Sequence, residues 1–159
     1  MSSSKPLPNR NKTKMYDKFL RIGGRLAIQL PLLSIVQCDG SFSRRGAAAA
    51  YLIYDASHKV AKSQKIDLYN VKTSTEAEWA SVYHGLEAAM EANNQNIGLE
   101  NDCLSVIAGL IYPENHLRPT YARHYRKKIL TLADATLWTG ARWIPRAENR
   151  ADDLFRMLK

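Results

Sequence analysis

Cysteine is scarce: two thiols in 159 residues cannot build a disulfide framework. With only four scattered histidines beside them, they do not assemble the four close ligands of a structural zinc site. The expected home is therefore the cytoplasm or another reduced intracellular compartment. No stretch approaches the ~20 apolar residues that span a bilayer, so no membrane role is expected. Residues 1–13 are acid-poor and serine-containing, which leaves organellar targeting open, but Pro6 and Pro8 interrupt them and no secretory apolar core is present. Glycine and proline number only 8 and 6, too few for a low-complexity chain. What remains is 45% hydrophobic and 24% charged, enough for one ordinary globular core.

Acids are outnumbered, 15 against 23 bases, and the imbalance is local. Seven of the bases (Lys5, Arg10, Lys12, Lys14, Lys18, Arg21, Arg25) and one acid (Asp17) fall in residues 1–33, so that stretch carries +6 and the rest of the chain +2. We read 1–33 as a basic, partly disordered arm on a domain spanning 34–159. Such an arm gains affinity for a polyanion by releasing phosphate counterions, although a solvated tail has the same composition.

From Ser34 the pattern becomes regular. Ser34–Asp39, Ala47–Tyr54 and Val60–Tyr69 read as three strands joined by short turns, an antiparallel meander. The period then switches: Trp79, Val82, Tyr83, Leu86, Ala89 and Met90 make one helical stripe over Thr75–Glu91. A strand at Asn96–Glu100, helices from Asp102 and over Pro119–Leu132, a strand at Thr136–Ile144 and a closing helix at Ala151–Lys159 complete the order. Strand–helix–strand stretches imply right-handed parallel crossovers. The expectation is an α/β domain with a five-stranded mixed sheet, three strands of meander plus two parallel, flanked by helices.

Four acids stand where structure alone does not demand them. Asp39 ends an apolar strand and Asp102 comes just after another, so parallel neighbours would present both at their carboxyl ends, where open α/β sheets bind ligands. Glu78 and Asp152 sit in the first turns of helices. Converging carboxylates repel one another unless cations neutralise them, and hard divalent ions prefer oxygen ligands. Singly, each acid has an ordinary reading: turn chemistry for Asp39-Gly40, an N-cap for Asp102, a Thr75–Glu78 capping box, and helix-dipole complementation for Asp152.

Taken together, four motifs carry these acids in a familiar order: CDGSFSRRGAAAAYLIYD (Cys38–Asp55), TSTEAEWASVYHGLEAA (Thr73–Ala89), ENDCLSVIAGL (Glu100–Leu110) and RWIPRAENRADDLFRML (Arg142–Leu158). The chain from Val36 to Leu158 resembles the type 1 ribonuclease H family, in its plant-like and reverse-transcriptase-associated branch. The resemblance implies a ribonuclease H-like fold and an endonuclease that hydrolyses the RNA strand of RNA–DNA hybrids. It implies two Mg²⁺ ions, with Mn²⁺ as a possible substitute, bound by Asp39, Glu78, Asp102 and Asp152. By the same analogy Gly40, Ser41, Ser74 and Thr75 contact the RNA, whose 2′-hydroxyls distinguish it from DNA. Arg123 and Lys127, in the run Arg118–Lys128 that holds five bases and no acid, would grip DNA phosphates. Arg146 is a further substrate-binding candidate; the histidine that some members carry in the last loop is absent, so either Arg146 or Glu148 substitutes for it or the role is missing.

Departures keep other readings open. Ser74 and Thr75 replace the family's paired asparagines, so a catalytically silent nucleic-acid-binding subunit, or a related metal-dependent nuclease acting on structured RNA, stands as an alternative. A monomer is expected. Strand alternation turns Cys38 away from Asp39, as a buried structural thiol. His84 reads as structural. Between Asp152 and Asp153, the apolar stripe Ala151, Leu154, Phe155, Leu158 decides: on a helix Asp152 lies ~110° from its centre and Asp153 ~150°, which favours Asp152 as the fourth acid.

Overall fold

The computed structural model describes residues 15–114 and 117–157. Residues 1–14, with Lys5, Arg10, Lys12 and Lys14, lie outside the described residues, as do His116 and Leu158. The strands are β1 (Leu20–Gly23), β2 (Ser34–Ser43), β3 (Gly46–Tyr54), β4 (Val60–Leu68), β5 (Asn96–Asn101) and β6 (Trp138–Trp143). The helices are α1 (Ser74–Glu91), α2 (Leu104–Ile111), α3 (Thr120–Asp134) and α4 (Asp153–Met157). None of the described helices is long and apolar enough to cross a membrane.

The sheet runs β1-β6-β5-β2-β3-β4. β2, β3 and β4 form the antiparallel meander, β5 lies parallel to β2, and β6 lies parallel to β5. The sheet thus has six strands where five were expected. The sixth, β1, pairs antiparallel with β6 and comes from the stretch read as a basic arm. Its four residues, broken by Gly23-Gly24, carry no alternation long enough to signal a strand; backbone pairing with β6 makes it one. Ahead of it Met15 is fully buried, and the Phe19 ring occupies the space beside Gly98.

One face of the sheet meets α1, which packs across β2 and β3 with α3 against its other side. Val36, Cys38, Tyr51 and Ile53 point into that layer and join Trp79, Val82 and Leu86 in the core. Cys38 therefore faces away from Asp39. Gly85 brings the helix so close that a Cβ there would stand 2.7 Å from Cys38 Sγ. Packing this tight leaves the thiol no room for metal or redox chemistry, and burial pushes its pKa well up.

The opposite face is only partly covered. The closing helix expected from residue 151 is instead a 3₁₀ turn at Arg150–Asp152 continued by the short α4. Asn149 causes the tight turn: its side chain accepts a hydrogen bond from the Ala151 amide at 3.1 Å.

Candidate active site

The parallel register of β2 and β5 pairs Gln37 with Glu100. Two residues beyond that pair come Asp39 and Asp102, at one level just past the last parallel pair. β5 ends at Asn101, but β2, expected to end at Asp39, runs on to Ser43 because β3 continues to pair with it, so Asp39 lies within its strand. Glu78 arrives from α1. The helix is capped by Thr73, which accepts from the Glu76 amide at 3.1 Å while Glu76 accepts from the Lys72 amide at 3.0 Å. The capping box is thus Thr73–Glu76, two residues before the pair read from sequence, and Glu78 is left to face the sheet.

What lets it do so is Gly40. A Cβ on Gly40 would lie 2.4–2.5 Å from the backbone of Ala77 and Glu78, so only glycine admits α1 at this distance. The Gly40 amide donates to Glu78 Oε1 at 2.9 Å, and Asn101 Nδ2 donates to the same oxygen at 3.1 Å. Carboxylate oxygens of Asp39, Glu78 and Asp102 then all lie within 4.8 Å of one another.

Two asparagines hold the backbone beneath this cluster. Asn101 Nδ2 and Asn149 Nδ2 both donate to the Cys38 carbonyl, at 2.9 and 2.7 Å. Asn101 Oδ1 also accepts from the Cys103 amide, and Trp143 Nε1 donates to the Asp102 carbonyl. Asp102 is therefore not a helix cap; Cys103 holds that position, without a side-chain bond. Sequence reading passed over Asn101, although a buried polar residue closing an apolar strand was visible there. It placed Asn149 in a motif without seeing that it clamps β2.

The first turn of the 3₁₀ segment delivers Asp152 to the same cavity. This pocket of about 450 Å³ is lined by Asp39, Gly40, Ser41, Phe42, Ser74, Glu78, Asp102, Arg146, Asp152 and Phe155. Asp152 is not one of the three mutually close carboxylates, but its side chain hydrogen-bonds with that of Asp39, and it lies 2.9 Å from Arg156 Nη1 and 4.0 Å from Arg146 Nη2. Asp153 does not line the cavity; it pairs with Arg150 and Arg156. Thr75 is half-buried in α1, away from the cavity wall. Arg123 and Lys127 lie elsewhere, on α3. The Arg123 guanidinium is spent on the loop before its own helix, donating to the carbonyls of Leu117 and Arg118 at 2.6 and 2.7 Å. Lys127 lines a separate hollow with Tyr83 and His124. His84 packs edge-on against Tyr83, near Glu87.

Crowding sets the electrostatics. Asp39 is 5% exposed, and its pKa is raised to about 9, first by burial and then by the charges of Glu78, Asp102 and Asp152. Burial likewise raises Glu78 to about 7, against the lowering effect of its bond from Asn101. Asp102 is raised by burial, with Arg146 acting the other way. An all-oxygen set of crowded, self-repelling carboxylates is the donor chemistry that hard divalent cations take. The residues fit such an ion.

A family model described as reverse transcriptase-like matches residues 37–157, which contain nearly all of the four motifs and all four acids. This chain belongs to that family, within the ribonuclease H group. Comparison with curated proteins finds no match. Solved structures agree on the ribonuclease H fold. Ribonuclease H1 from the halophilic archaeon Halobacterium salinarum superposes with a TM-score of 0.70 at 23% identity, covering 76% of this chain and 92% of that one. The N-terminal ribonuclease H domain of a Mycobacterium tuberculosis protein gives 0.69 at 18% identity, over 80% and 96%. A ribonuclease H1 isolated from compost, solved with an RNA/DNA hybrid, gives 0.65 at 18%, over 76% and 92%. Within this ribonuclease H-like chain, the acid cavity sits where the parallel pairing of β2 and β5 stops.

Proposed function

We propose that this protein is an endonuclease that hydrolyses the RNA strand of RNA–DNA hybrids. The observation that carries the reading is the trio of buried Asp39 and half-buried Glu78 and Asp102, mutually within 4.8 Å, in a chain of this family. Asp39, Glu78 and Asp102 would hold divalent cations, with Asp152 completing the set from the 3₁₀ turn. Two ions so held, Mg²⁺ or in its place Mn²⁺, supply activation of a water and stabilisation of the departing 3′ oxygen.

The chain's own groups do the positioning. The Gly40 amide and Asn101 fix one Glu78 oxygen and so orient its carboxylate within the cluster. Ser41 and Ser74 line the cavity with hydroxyls that can pair with a 2′-hydroxyl, the group that separates RNA from DNA. Arg146, its side chain 81% exposed at the cavity mouth, offers a donor for a phosphate. No nucleophilic side chain is needed.

One experiment tests the assignment. Purified full-length protein is given matched RNA–DNA, RNA–RNA and DNA–DNA duplexes with Mg²⁺ and with EDTA. Mg²⁺-dependent cleavage confined to the RNA strand of the hybrid is expected. Binding of all three without cleavage would replace the enzyme with a silent nucleic-acid-binding module, and cleavage of RNA–RNA in preference would shift the substrate to structured RNA.

A further inference from the structure

A second cavity, of about 510 Å³, adjoins the acid cavity; Ser41 and Phe155 stand in the walls of both. It runs over the sheet face that bears Asp39. The strand registers place Asp39, Ala50 and Lys65 in one cross-strand row and Ser41, Ala48 and Asp67 in the next. With strands about 4.8 Å apart, Lys65 leaves the sheet roughly 10 Å from the strand of Asp39. Ser43 and Arg45, at the turn between β2 and β3, line the far end, and Tyr69, just past β4, flanks it. Phe155 of α4 closes the near side.

The lining has the chemistry of a nucleic-acid strand's path. Arg45 and Lys65 bring two positive charges against one acid, Asp67, which is itself 4.0 Å from Lys65. Arg44 stands exposed beside them. Tyr69 is 82% exposed, the most of any large hydrophobic side chain among the described residues, and serves no packing role in the core. An exposed aromatic ring beside basic groups is a stacking platform for an unpaired base, whose π-face needs no particular sequence. The volume lies in the range of pockets that hold a small organic ligand, which suits one or two nucleotides.

We propose that this trough is a subsite for an unpaired stretch of the strand whose phosphodiester lies at the carboxylates, so that the favoured substrate is a hybrid with a single-stranded RNA extension. The proposal rests on the hydrolase reading for the identity of that strand. Arg45 and Lys65 meet its phosphates, Tyr69 stacks a base, and Ser41 and Ser43 face its sugars.

The test compares dissociation constants of full-length protein, in Ca²⁺ without Mg²⁺, for a blunt hybrid, for the same hybrid with an RNA extension at either end, and for a short single-stranded RNA. One of the two extensions is expected to tighten binding on the order of tenfold. Tyr69→Ala and an Arg45→Ala/Lys65→Ala pair should bring the extended-to-blunt ratio back towards one, while Tyr69→Phe keeps the gain. All three positions lie outside the buried core, and circular dichroism checks that the variants fold. No gain from either extension, or a gain that survives both variants, would overturn the trough. Failure of the hydrolase reading looks different: no Mg²⁺-dependent cleavage of any hybrid, with Tyr69-dependent binding of single-stranded RNA retained, supports the trough and removes the enzyme.

Discussion

Asp39→Asn replaces a buried acid, which the fold must keep protonated, by a neutral amide of the same size, so the fold should become more stable as catalysis is lost. The native pKa of Asp39 is about 9 against an ordinary 3.8. Between those values the folded protein holds a proton that the unfolded chain releases, so this acid's contribution worsens as pH rises from about 4 to 9. At pH 7 the penalty has a ceiling of about 4 kcal/mol, from roughly three pH units at ~1.36 kcal/mol each. Glu78 shares that repulsion, and water enters the open cavity, which leaves about 1–2 kcal/mol for Asp39 itself. For a chain of this length that is a melting temperature roughly 2–8 °C higher in the variant. The assay is thermal unfolding by circular dichroism in EDTA from pH 4 to pH 8. The two proteins should melt together near pH 4 and separate as pH rises. Added Mg²⁺ should then raise the wild type by mass action and move the variant little. A variant less stable than wild type at pH 7 in EDTA, or a difference that does not change with pH, would refute the electrostatic account of the site.

Gly40→Ala should push α1 off β2, because its Cβ would overlap the Ala77–Glu78 backbone; hybrid cleavage should fall by at least about a hundredfold with a lowered melting temperature, and wild-type activity would show that the close approach is dispensable. Asp152→Asn should lower the Mg²⁺-dependent rate severely and Asp153→Asn little, since only Asp152 lines the cavity; the reverse ranking in steady-state kinetics would move the fourth acid one residue on. Removing residues 1–14 takes away four bases but spares β1, so the log–log salt slope of duplex binding should flatten by up to ~3.6 while the melting temperature holds; an unchanged slope would mean the segment does not touch phosphates.

Periodicity and turn chemistry suffice for the meander, for α1 and for the β-α-β crossover, because each depends on local alternation or a stripe that a neighbour must cover. That Asp39 and Asp102 lie side by side was legible for the same reason, since parallel pairing of two apolar runs aligns the residues that follow them; that β2 runs on past Asp39 to Ser43 was not, because β3 sustains it. Four ordered motifs also named the family without any coordinates. Other features exist only once the chain is folded. β1 is a strand because β6 offers it a free edge, and nothing in Leu20–Gly23 alone demands that. Thr73 rather than Thr75 caps α1, a choice between two threonines settled by where the chain leaves β4 and how near Gly40 lets the helix come. The capping alternative for Glu78 thereby passes to Glu76, and Glu78 is free to face the other acids. Asn101 and Asn149, 48 positions apart in sequence, meet on one carbonyl, Cys38 O, and so tie the first and last acid-bearing segments together. Residue type and order carry the chemistry of the site; its distances come from long-range backbone contacts, which no local pattern encodes.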